Sequence, residues 1–300
     1  MDRWPALHYE DWKATAQTLH MWTQIVGKVR LRLASFVNHW WQVALYVTPR
    51  GLTTSAMPYA GGRSLSIDFD FLEHRLLIDG CDGEHAEFGL EPMSVAAFYE
   101  RTMRELESLG FRIRINKKPN EVADPIPFDR DTVHASYDRA SVERFFRVLL
   151  QADRLCKEFR SSFVGKASPV HFFWGSFDLA ETRFSGRPAP RHPGGVPNLP
   201  DSVTREAYSR EEHSVGFWPG SDAMDAVFYA YAYPEPPGFA DANVPDAASW
   251  NDQLREFVLP YDAVRSSPNP NRAVLDFFSA TYDAAANLGS WDRKSLERTA

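Results

Sequence analysis

Cysteine is nearly absent: Cys81 and Cys156 are the only two in 300 residues. Two thiols cannot build a disulfide framework or a four-cysteine zinc site, and they fit a reducing compartment, so the expected location is cytoplasmic. Long apolar runs are missing as well. No uninterrupted stretch of about 18 apolar residues offers a membrane span, and Met1-Asp2-Arg3-Trp4-Pro5 contains no apolar core of an export signal. No membrane partner is expected. Basic charge is in deficit, with 33 Lys and Arg against 40 Asp and Glu for a net charge of −7. A nucleic-acid partner is therefore not expected, since such binding needs a cationic surface that displaces counterions.

Familiar cofactor signatures are also lacking. Gly165-Lys166-Ala167-Ser168 has no upstream glycine of a Walker loop, and no dinucleotide fingerprint occurs. The histidines show no H-x-H, H-x-x-x-H or H-E-x-x-H spacing, so no metal site is predicted from spacing. A distant set of His39, His171 and Asp178 or Glu212 is the one metal arrangement left open, and no attachment motif supports a haem. The sequence names no cofactor and leaves the oligomeric state open.

What the chain does have is aromatic mass, 9 Trp, 11 Tyr and 21 Phe, together 14% of its residues. That supplies enough apolar surface to offset the entropy of ordering, and disorder is excluded for most of the length. Periodicity divides the chain into alternating kinds of element. Trp12, Ala16, Leu19, Val26, Val29 and Leu33 recur at helical spacing over 11–33, although Gly27 there costs about 1 kcal/mol relative to Ala. Trp40–Thr48, Leu52–Met57, Leu65–Phe71, Arg75–Ile78 and Phe111–Ile115 read as strands. A helix is expected over 94–109 with Gly110 as its stop, and the clearest helix in the chain over 141–163. One strand pattern then runs from Val170 to Phe184. Further strands are expected at 215–218, 227–233 and 257–261, and a last helix at 271–288.

The order of helix, strands and helix occurs twice. Val95-x-x-Phe98-Tyr99-x-x-Thr102-Met103 aligns without gaps on Val274-x-x-Phe277-Phe278-x-x-Thr281-Tyr282, and His39-Trp40-Trp41 parallels His171-Phe172-Phe173. The expected architecture is an α+β fold of two pseudo-repeats, each an antiparallel β-sheet with flanking helices. The first would span 1–115. The second would span 116–300 and carry long Pro/Gly-rich insertions at 185–214 and 234–250.

At His39-Trp40-Trp41, Thr48-Pro49-Arg50-Gly51-Leu52-Thr53-Thr54, Ser168-Pro169-Val170-His171-Phe172-Phe173-Trp174-Gly175-Ser176-Phe177-Asp178-Leu179 and Gly216-Phe217-Trp218-Pro219-Gly220, the chain resembles the bacterial domain-of-unknown-function family DUF5996. The resemblance runs over nearly the full length. It implies a stand-alone cytosolic bacterial protein and carries no reaction, cofactor or catalytic residue with it.

Candidate chemistry must come from the residues. A triad within one strand is disfavoured: in a regular strand His171 and Asp178 point to opposite faces unless Gly175 hosts a bulge, and Ser176 has no nucleophile elbow around it. Two-fold packing of the repeats would instead bring His39 and His171 together for proton transfer, oriented by Asp178. Arg50 and Arg183 would serve as anion clamps, with Trp174, Ser176 and Trp218 contacting substrate. On this reading the protein is a small-molecule enzyme for a modest anionic or aromatic metabolite. The alternatives are a non-catalytic ligand-binding or sensor protein, a protein–protein adaptor with an exposed aromatic patch, and a His-ligated metal or haem protein.

Overall fold

The computed structural model describes residues 2–298. The chain enters through α1 (Tyr9–Leu33), in which Leu19, Trp22, Ile25, Val26 and Val29 are all fully buried. Burial on every side marks a central helix rather than a surface one. Six strands follow: β1 (Tyr46–Thr48), β2 (Gly51–Thr53), β3 (Met57–Pro58), β4 (Ser64–Asp70), β5 (Arg75–Gly80) and β6 (His85–Gly89). They form an antiparallel sheet in the order β1-β2-β4-β5-β6, with β3 also on β4. Leu65, Ile67 and Phe69 alternate inward along β4, and α2 (Val95–Ser108) covers that face through Phe98. Phe98 stacks on Trp22 of α1 with ring centroids 4.6 Å apart.

The second half also runs from a helix through strands to helices. α3 (Arg139–Arg160) leads into β7 (His171–Phe173), β8 (Asp178–Pro188), the short α4 (Asp201–Ala207), β9 (Arg210–Trp218), β10 (Val227–Tyr233), β11 (Ser249–Asn251) and β12 (Glu256–Pro260). α5 (Tyr261–Arg265), α6 (Pro270–Leu288) and α7 (Arg293–Leu296) close the chain. These six strands make a second antiparallel sheet in the order β11-β12-β10-β9-β8-β7. The fold is α+β with two sheet-containing halves. Capping follows ordinary chemistry: Ser94, Asp138 and Asn269 each accept a backbone N–H at the starts of α2, α3 and α6, and Gly110 turns the chain after α2 at φ 81°.

The halves share one apolar core, and their sheets meet at an edge. Leu45, just before β1, exchanges two 2.9 Å backbone hydrogen bonds with Phe172 of β7. Among the described residues no helix is long and apolar enough to cross a membrane.

Four local expectations change, the first at Leu52–Met57, where β2 ends at Thr53 and β3 begins only at Met57. Trp40–Thr48 is not one strand, because Asn38–Val43 forms tight 3₁₀ turns with His39 and Trp40 at φ 58° and 60°, and pairing starts only with the Leu45 bridge to Phe172, β1 itself beginning at Tyr46. Phe111–Ile115 joins neither sheet. The pattern from Val170 to Phe184 is a hairpin rather than one strand: β7 turns at Trp174–Phe177 into β8, with Phe177 at φ 61°. Its register pairs His171 with Ala180 and Phe173 with Asp178. Directly opposed residues share a face, so the turn places His171 and Asp178 on the same side of the sheet.

The hairpin turn also explains Gly27. A Cβ there would overlap the Trp174 indole, which packs on α1 and donates Nε1–H to the Val43 carbonyl at 2.8 Å. Gly27→Ala should therefore lower stability by about 1 kcal/mol, the overpacking cost exceeding the gain in helix propensity. Thermal unfolding checks this, and a raised Tm would refute it.

Candidate functional site

Sheet parity decides where chemistry can occur in the second half. On β8 the odd residues Leu179, Glu181 and Arg183 face α3 and α6, and the even residues Asp178, Ala180, Thr182 and Phe184 face the other way. β9 contributes Glu212, Ser214 and Trp218 to that second face, β10 contributes Tyr229 and Tyr231, and β12 contributes Glu256. This face is polar, and it is covered rather than solvated. Beneath the cover lies a cavity of about 960 Å³, the size of a small-molecule or cofactor site.

The cover is built from two irregular segments clipped to α1. Asn120 donates its N–H to Gln24 Oε1 and accepts from Gln24 Nε2, both at 2.8 Å, and Lys28 Nζ donates to its side-chain oxygen. Asn120 Nδ2 then donates to the Asn198 carbonyl at 2.9 Å, and Asn198 Nδ2 donates to the Val122 carbonyl at 2.6 Å. Glu121 N–H donates to the Pro197 carbonyl at 2.9 Å. The Pro-rich insertion is thus anchored, and its Leu199, Pro200 and Val203 roof the cavity with Ala207 and Tyr208.

Four carboxyl groups line the space. Asp178 accepts hydrogen bonds from Ser176 Oγ on one oxygen and from Tyr229 Oη on the other. Burial still raises its pKa, outweighing those two donors. Tyr229 reaches Asp178 by lying across Gly216, its register partner on β9, where a Cβ would overlap the tyrosine ring. Burial, then the neighbouring Asp178, pushes Glu121 up to about 7. Its side chain remains accessible through the cavity although protein surrounds it closely. The same two causes bring Glu256 to about 7. Glu212 is 5% exposed, and burial holds its carboxyl well above the ordinary range, with Lys166 opposing.

The expected site residues separate into two groups. Trp174, Ser176, Asp178, Trp218 and His39 line the cavity. Both nitrogens of His39 are engaged: Nδ1–H donates to the Ala207 carbonyl at 2.8 Å, and Nε2 accepts from Lys166 Nζ at 2.5 Å. His39 therefore anchors the cover, and burial lowers its pKa. His171 lies outside the lining, its ring 5.9 Å from Trp41 and 5.5 Å from Tyr46. Burial, then the charge of Arg30, lowers its pKa to about 3, so it stays neutral and is a poor proton acceptor near pH 7.

The arginine clamps do not converge. Arg50 lies at the β1–β2 turn, its Nε 2.6 Å from Asp70 Oδ2. Arg183 is 1% exposed on the opposite sheet face, with its guanidinium 3.4 Å from the Phe159 ring centroid. The reason is period: positions 178 and 183 are five apart on one strand and must point oppositely.

Sequence reading missed Glu121, Glu256, Tyr208, Tyr229 and Tyr231 as site residues, and Glu212 outside a metal set. Glu212-x-Ser214-x-Gly216-x-Trp218 and Tyr229-x-Tyr231 carry the signal, a polar parity opposite the core parity Val215, Phe217 and Phe228. Glu121 had none, since it sits in a loop. Among the described residues, no group of three or more His, Cys, Asp or Glu side chains is placed to hold a metal ion.

A family model described as "Family of unknown function (DUF5996)" matches residues 4–298. No curated protein and no solved structure matches the chain.

Proposed function

We propose that this chain, which belongs to the DUF5996 family, is a cytoplasmic small-molecule enzyme that works in the covered cavity by acid–base chemistry between Glu121 and Asp178. One observation carries the reading: the two interacting carboxyls share the cavity but not the environment. Asp178 accepts two hydrogen bonds, which favour its anion over that of Glu121, whereas Glu121 accepts none from the described residues and is pushed up to about 7. Groups whose surroundings differ in this way divide into a proton donor and a proton acceptor. Glu121 is the acid on this reading and Asp178 the base, with Tyr229 and Ser176 orienting it. Trp174 and Trp218 serve as walls for the bound molecule. An anionic substrate is not favoured, because four carboxyls line the cavity and neither Arg50 nor Arg183 reaches it.

The test compares wild type, Asp178→Asn, Glu121→Gln and the cavity-filling Ser214→Trp in a cell metabolite extract, read by mass spectrometry. Consumption of a metabolite by wild type should fall at least about 100-fold in each acid–base variant, the usual scale of general acid–base catalysis. Retention without consumption, lost in Ser214→Trp, would favour a binding protein instead. Neither retention nor consumption by wild type would sink both readings.

A further inference from the structure

We infer that the molecule this cavity takes is an organic cation, a protonated or quaternary amine held by carboxylates and aromatic faces. The inference rests on the cavity being the ligand site and adds the ligand's charge. The carboxyl oxygens of Glu121, Glu212 and Glu256 accept no hydrogen bond from the described residues. Glu212, nine-tenths buried and facing the cavity, is the sharpest case. A buried carboxyl without a partner, as Glu212 is, regains the solvation it lost most fully from a cation, and the half-buried Glu256 and the more open Glu121 add to the attraction.

The basic groups nearby are otherwise engaged or lie at the edge. Lys28 donates to Asn120 and lies 5.9 Å from the Trp174 ring centroid. Lys166 donates to His39 and packs over Phe184 at 4.8 Å. Lys118 is an exposed residue of the cover. Around the acids stand π faces, among them Trp41, Trp174 and Trp218 with the stacked pair Tyr229 and Tyr231. Aromatic walls with carboxylates are the chemistry that recognises ammonium groups, because the ring face is the negative end of its quadrupole. An anion would find only carboxyl oxygens and ring faces to meet it, and a neutral polyol would forgo the charge–charge attraction that a cation gains by drawing these carboxyls into their ionised forms.

Isothermal titration calorimetry on the full chain with four probes at pH 7.5 tests this: phenethylammonium, its neutral and anionic counterparts phenethyl alcohol and phenylacetate, and sorbitol as a polyol. Phenethylammonium should bind at least about tenfold more tightly than any other probe. Glu212→Gln and Glu256→Gln, both isosteric, should each weaken it about fivefold or more while leaving phenethyl alcohol unchanged. Equal or tighter binding of the alcohol, phenylacetate or sorbitol overturns the inference, as does cation binding that ignores both substitutions. Silence from all four probes also overturns it. Ser214→Trp separates the two levels of the argument. Loss of every probe in that variant keeps the cavity as the site whichever charge wins, whereas binding that survives it removes the cavity reading itself.

Discussion

Replacing Arg183 by methionine should destabilise the protein by about 3–5 kcal/mol at pH 8, the cost of stranding a buried partner charge. Arg183 and Glu181 lie together under the second sheet, 1% and 0% exposed, with Nε 3.8 Å from Oε2. The guanidinium donates to the Phe159 carbonyl and sits over the Phe159 and Tyr282 rings, so its removal also empties a packed space. Both Glu181 oxygens lack any hydrogen-bond donor. Burial pushes that carboxyl from its ordinary 4.5 up to about 7, with Arg183 opposing. A raised carboxyl binds its proton more tightly in the folded state, so its contribution to stability is full below about 4.5 and lost as pH rises through about 7. Without Arg183 the folded-state value climbs further. The loss in Arg183→Met should therefore be larger at pH 8 than at pH 5.5, and adding Glu181→Met should recover most of it. Denaturant unfolding of the two single variants and the double at both pH values closes the cycle. A loss independent of pH and unrelieved by Glu181→Met would show that packing alone is at stake.

Gly216→Ala is expected to cost about 3 kcal/mol and to disable the cavity together. An added Cβ would overlap the Leu179 carbonyl, which is backbone and cannot rotate away, and the ring of Tyr229. Tyr229 would then lose its path to Asp178. Tyr229→Phe separates the two effects, since it keeps the ring and removes only the hydroxyl. It should lower stability by no more than about 1.5 kcal/mol and reproduce the change in ligand binding. Calorimetry on the two variants, with phenethylammonium as probe, provides the comparison. A Gly216→Ala protein as stable as wild type would mean that the sheet accommodates the methyl by local shift.

Much of the fold was legible because it depends on period and composition. The helical spacing from Trp12 to Leu33, the alternation Leu65-Ile67-Phe69 and the Gly110 stop are local, and local physics settles them. Boundaries failed where a turn lay inside an apolar run. Nothing in Val170–Phe184 by itself says that Phe177 adopts a positive φ, yet that turn puts His171 and Asp178 on one face. His39 and His171 look alike in sequence. One ends up holding the cover through Ala207 and Lys166, and the other lies beyond the cavity lining against Trp41.

Scarce cysteine and abundant aromatics determined, without any structure, a packed fold free of disulfide staples. Strand parity was also contained in the sequence, and with it the separation of Asp178 from Arg183. Only the tertiary structure decided that the polar parity of the second sheet is roofed by residues 116–122 and the Pro-rich insertion. Burial depends on distant segments meeting: Asn120 with Gln24, and Asn198 with Val122, lie 96 and 76 residues apart. That roof withdraws Asp178 and Glu212 from bulk water and brings Glu121 and Glu256 beside them, and so makes a site of what would otherwise be an ordinary acidic surface.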